Sequence, residues 1–67
     1  MAGIEWERLC VGYFYTDIGT THVRAVQNAD GWELQFTEKT PHRYRAEYVQ
    51  CKTLEEAQEI AAAWQGF

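Results

Sequence analysis

Two cysteines and two histidines are the side chains of this sequence best suited to hold a metal or attack a substrate: Cys10, His22, His42 and Cys51. A zinc site takes thiolates and imidazoles, and structural sites usually supply them in close pairs along the chain. Here each stands far from the next, so no metal is expected. A thiol nucleophile needs a base beside it and a third group to orient that base. Nothing in the sequence supplies that set. Serine is absent, which removes serine nucleophiles altogether. Glu55, Glu56 and Glu59 lie close together, but on one helix face they are expected to be solvated rather than paired for acid–base work. Gly19 and Gly31 stand in turn-like contexts, not in a phosphate-cradling loop. The expectation is a non-enzymatic chain with no catalytic residue, no metal and no cofactor.

Size and charge narrow the field further. The chain has 67 residues, with six basic and ten acidic side chains and a formal net charge of -4. A length of this order sets the expectation of a single domain spanning 1–67 with a thin core. Hydrophobic residues make up 46% and aromatics 15%, too much for a disordered chain. The acidic balance counts against binding driven by phosphate neutralisation. No apolar run is long enough to suggest a membrane span. Glu5 and Glu7 near the start are unlike a secretion signal, and two cysteines are few for a small secreted domain. A soluble cytoplasmic protein with reduced thiols is the expectation.

The elements that must position these side chains are marked by turn signals. Asp17-Ile18-Gly19-Thr20, Asn28-Ala29-Asp30-Gly31 and the segment around Pro41 divide the chain. Between them lie four strand-like segments: Arg8 to Thr16, Thr21 to Gln27, Trp32 to Thr37 and Arg43 to Gln50. Trp32, Leu34 and Phe36 alternate with Glu33, Gln35 and Thr37 at the period of a half-buried strand. The last segment changes period. Thr53-Leu54-Glu55-Glu56 fits a capping box, in which Glu56 reaches back to the Thr53 amide. Leu54, Ala57, Ile60, Ala61 and Trp64 follow at helical spacing, and Gly66 is expected to end the helix. The fold expected is α+β, a four-stranded antiparallel β meander with one C-terminal α-helix packed on one face.

Alternation then assigns the faces. Leu9, Val11, Tyr13, Val23, Ala25, Trp32, Leu34, Phe36, Tyr44, Ala46 and Tyr48 are expected to meet the helix. The uncovered face then carries Cys10, Phe14, His22, Arg24, Val26, Glu33, Gln35, Thr37, Arg43, Arg45, Glu47 and Val49, with Arg8 near them. That mixture of aromatic, aliphatic and Arg side chains has the composition of a protein interface. Phe14, Arg24, Gln35, Arg43 and Arg45 are the expected partner-binding residues. Two other uses of the face are open. Its arginines could meet phosphate or guanine, or Arg43 and Arg45 could neutralise Glu33 and Glu47 across the sheet. The outer strands could also pair with another chain, including a second copy.

The stretch from His22-Val23 through Asp30-Gly31-Trp32-Glu33-Leu34 to Thr53-Leu54-Glu55-Glu56-Ala57 resembles short bacterial and phage sheet-plus-helix domains, notably the arm-type DNA-binding domains of tyrosine integrases. The resemblance implies a sheet face that meets DNA. In size and acidity the chain is also similar to phage-encoded accessory proteins of the anti-defence and anti-CRISPR kind, which bind and inhibit a larger host complex. The reading that follows is a small binding protein acting through its sheet face on a larger protein partner, with nucleic-acid binding as the alternative.

Overall fold

The computed structural model describes residues 4–40 and 42–65. Five strands and one helix follow one another: β1 (Glu7–Cys10), β2 (Tyr13–Ile18), β3 (Thr21–Asn28), β4 (Gly31–Thr40), β5 (Arg43–Cys51) and α1 (Leu54–Ala62). The strands form one antiparallel sheet in the order β1-β2-β3-β4-β5. The meander and its C-terminal helix are as expected, but the sheet has five strands rather than four. The segment expected as one strand from Arg8 to Thr16 turns back on itself at Val11-Gly12, where Gly12 takes a φ of 78°. Glycine adopts this backbone without strain, so Gly12 is itself a turn signal within that segment.

The other connections follow from local chemistry. Gly19 opens the two-residue β2–β3 loop with a φ of 61°, the place where a type II′ hairpin wants glycine. At the β3–β4 turn the Asn28 side chain accepts from the Asp30 amide at 3.1 Å, and Gly31 carries the positive φ just after the loop. The expected turn residue Pro41 lies outside the described residues. On either side of it, the Thr40 hydroxyl accepts from the amides of Arg43 and His42 at 3.1 and 3.4 Å.

Helix α1 starts where the capping box puts it. The Thr53 hydroxyl accepts from the Glu56 amide at 3.1 Å. The reciprocal bond reaches one residue further back than expected, from the Lys52 amide to the Glu56 carboxylate at 2.8 Å. The helix ends at Ala62 with Ala63 as its cap, before Gly66, which lies outside the described residues. Trp64 is thus past the helix, yet its ring stacks on Phe36 at 4.0 Å between centroids.

Val23, Ala25, Leu34 and Phe36 of the sheet and Ala57 and Ala61 of the helix are wholly shut off from solvent, with Cys51 beside them. Full burial of a Val, Leu or Phe side chain is worth about 1.5–3 kcal/mol, so these few residues carry much of the fold. Ile4 and Trp6 pack against the same cluster ahead of β1. The Thr16 hydroxyl ties that segment down by donating to the Glu5 carbonyl at 2.7 Å. Among the described residues no helix is long and apolar enough to cross a membrane.

The expected face assignments are reversed on β2 and β5. Register pairs Phe14 with Ala25, Thr16 with Val23 and Ile18 with Thr21, so Phe14, Thr16 and Ile18 are the helix-side residues of β2. Phe14 packs against Trp32 with centroids 5.9 Å apart. On β5, Val49 pairs with Leu34 and Cys51 with Trp32, so Arg43, Arg45, Glu47 and Val49 take the helix side. Tyr13, Tyr44, Ala46 and Tyr48, expected in the core, stand on the other face. Leu9 and Val11 are also outside the core, 65% and 79% exposed. The helix spans nine residues against ten for β4. At about 1.5 Å per helical residue and about 3.3 Å per strand residue, it covers less than half of that strand's length. The charged residues Arg43, Arg45 and Glu38 occupy helix-side positions toward the far end of the β4–β5 hairpin, where solvent is within reach.

Candidate functional site

The face left uncovered by the helix is organised in rows across the strands. One row crosses all five: Glu7 opposite Tyr15, Tyr15 opposite Arg24, Arg24 opposite Gln35 and Gln35 opposite Tyr48. On one side of it runs Tyr13, Val26, Glu33 and Gln50; on the other, Asp17, His22, Thr37 and Ala46. Tyr44 stands two residues beyond Ala46 on the same face. All four tyrosines of the protein therefore project from this one surface. Tyr44 and Tyr48 are 63% and 59% exposed, on the strand that forms one edge of the sheet.

Polar contacts fix parts of the surface and leave its centre unengaged. The Tyr15 hydroxyl donates to the Glu7 carboxylate at 2.7 Å, and that bond, with the carboxylate's charge, raises the phenol above its ordinary value. His22 Nδ1 lies 2.8 Å from the Asp17 carboxylate, and its ring tilts against Tyr15 at 6.0 Å. The Gln35 amide donates to the Glu33 carboxylate at 2.7 Å. Arg24, at the middle of the long row, has none of this. Its Nε is closed off from solvent and meets no acceptor among the described residues, and no ion pair holds its guanidinium there. A buried donor of a charged group left without an acceptor costs on the order of 1–3 kcal/mol.

Of the five residues expected to bind a partner, the structure brings together two. Arg24 and Gln35 are direct neighbours on the open face. Phe14 is on the helix side against Trp32, and Arg43 and Arg45 are on the helix side of β5. Arg8, opposite Phe14, is on that side too. The expected pairing of Arg43 and Arg45 with Glu33 fails for the same reason: Glu33 is on the other face. The tyrosines are the residues that sequence reasoning missed. Their alternation with Phe14 in β2 and with the arginines in β5 leaves either parity consistent with a buried face. A phenol suits both, since it has an apolar ring and a polar tip.

The residues that opened the chemical question are dispersed. Cys10 is exposed on β1 and Cys51 is buried on β5, at opposite edges of the sheet, and both are free thiols. Among the described residues no group of three His, Cys, Asp or Glu side chains could hold a metal ion. Burial, and secondarily the charge of Glu56, pushes the Cys51 thiol up. A thiol reagent added to the native protein is therefore expected to modify one cysteine quickly and the second only after denaturant is added. Rapid reaction of both would show that β5 and α1 part readily. The same shift makes folding weaker at alkaline pH: the unfolded thiol ionises first, so stability falls as pH rises past its ordinary value.

No protein-family model matches this chain, and no curated protein and no solved structure matches it.

Proposed function

We propose that this chain is a non-enzymatic binding protein that takes a larger protein partner on the open face of its sheet. One observation carries the reading: four tyrosines share a face with an arginine that no described side chain pairs. Tyr and Arg are among the residue types most enriched where binding energy concentrates, because each offers a large contact area together with directed hydrogen bonds. The partner's complementary feature is a carboxylate set in an apolar surround, meeting Arg24 with its acid and the phenol rings with its flanks. Occupying such a surface on a larger complex is how a chain of this size would inhibit it, which is the phage or mobile-element role suggested by its size and acidity.

A second reading is favoured by the same row. Tyr15 and Tyr48 lie on either side of Arg24 and Gln35, and aromatic rings beside a guanidinium can stack on the bases of a single strand. The two readings separate with the same variants. Wild type, Arg24→Ala and Tyr48→Ala are immobilised and used to capture protein from lysate, and each is titrated against labelled single-stranded DNA and RNA at low and physiological salt. The expected result is a protein retained by wild type and weakened by about 2 kcal/mol or more in each variant, with no nucleic-acid binding to lose. Salt-sensitive strand binding lost in the same variants would put the nucleic-acid reading first. Capture indifferent to both substitutions would move the site off this face.

A further inference from the structure

One edge of the sheet is β5, a nine-residue strand that among the described residues is paired on one side only, in unbroken register with β4. Such an edge offers a row of backbone donors and acceptors to any strand that can lie beside it. From its side-chain pattern we infer that it pairs antiparallel with β5 of a second copy, on a two-fold axis through Ala46. This goes beyond the binding reading of the open face and does not depend on it.

The argument is the near-palindromic order of the strand about Ala46. With Ala46 opposite Ala46, Arg45 of each copy stands opposite Glu47 of the other, and Tyr44 opposite Tyr48. Directly opposed residues of antiparallel strands are close enough to interact, and unlike charges and aromatic pairs both stabilise. The interface is isologous, so each favourable pair occurs twice. Neighbouring registers are worse on the same grounds. A shift of two residues in one direction brings Glu47 against Glu47 on the axis, and in the other direction Arg45 against Arg45. An odd shift turns one copy over and sets the tyrosines flush with the helix side of the next. Within its own chain Arg45 stands opposite Glu38 on β4. In the pair it is flanked by a carboxylate on both sides. The tyrosine faces of the two copies then form one continuous surface.

Strand-to-strand pairing of this length buries little area, so the dimer is expected to be concentration-dependent rather than permanent. Sedimentation from micromolar to millimolar protein should show the mass rise from 7.8 kDa toward twice that value. Arg45→Glu sets acid against acid at both symmetry-related contacts, and Glu47→Arg sets base against base. Each variant alone should dimerise at least about tenfold more weakly than wild type. Mixed together they should associate again, because at these two positions every acid of the first variant then faces a base of the second. That recovery also shows that both variants are folded, which circular dichroism checks separately. In a Cys10→Ser background, Ala46→Cys should oxidise to a covalent dimer and Tyr44→Cys should not. A mass fixed at one chain over the whole range would overturn the proposal. So would a wild-type dimer that survives both charge reversals, or a mixture that stays monomeric.

Discussion

Phe36→Ala should leave most of the protein unfolded at room temperature. Phe36 is wholly buried on β4, and its ring lies 13° from parallel with Trp64 at 4.0 Å. The substitution removes the largest fully buried side chain among the described residues and, with it, the ring on which the Trp64 indole stacks. Truncations of this kind cost about 3–5 kcal/mol in a core that cannot collapse around the gap. A single small core seldom supplies more than roughly 3–5 kcal/mol in total. Urea unfolding followed by far-ultraviolet circular dichroism and by Trp fluorescence is the measurement. Phe36→Leu, which keeps the volume better, should fold with a lowered midpoint. A Phe36→Ala protein as stable as wild type would mean that the stack and the core around it are misplaced.

Gly31→Ala should do comparable damage from a different cause. Gly31 has a φ of 133°, a backbone conformation that residues with a side chain rarely adopt. Its missing Cβ also faces the place where β5 hands over to the helix: a methyl there would stand 2.4 Å from the Cys51 carbonyl oxygen and 2.9 Å from that of Lys52. Both obstacles are backbone and neither can swing aside. Backbone strain of about 1–3 kcal/mol and overpacking of about 1–3 kcal/mol act together. Gly19→Ala is the control, since Gly19 has a φ of 61° and open space around it. That change should cost only the backbone strain, about 1–3 kcal/mol, with no steric clash added. Thermal unfolding of the two variants side by side tests the contrast, and equal losses would refute the close approach at Gly31.

The contrast between β4 and β5 explains how far the sequence can be read. In β4, Trp32, Leu34 and Phe36 oppose Glu33, Gln35 and Thr37, so one face is apolar and the other polar, and sequence and structure agree. In β5, Tyr44 and Tyr48 compete with Val49 and Cys51, and the two sets have opposite parity. Alternation does not choose between them, because an outer strand extending past a short helix can carry charge on its covered side. The choice falls to the turn before the strand and to the helix after it, which begins where it does with Cys51 pointing inward. In β2 the deciding feature is the turn at Gly12, which shifts the count by splitting one strand into two. Arg24 and Gln35 are legible because β3 and β4 lie in the middle of the sheet, where a reversed register would bury their charge and amide. The start of the helix is legible too, since Thr53 and Glu56 mark it independently of any face.

The two rims of the sheet differ in a way that limits growth. β1 has four residues, and Leu9 is an extra residue between Arg8 and Cys10 that breaks its register with β2. A short, kinked rim offers no straight ladder to a newcomer, whereas β5 does. Among the described residues, β5 is thus the one straight rim. Monomers with two straight rims can add end to end without limit and form fibres. A monomer with one can add a single neighbour, and if that neighbour is its own twin, neither is left with a growing end.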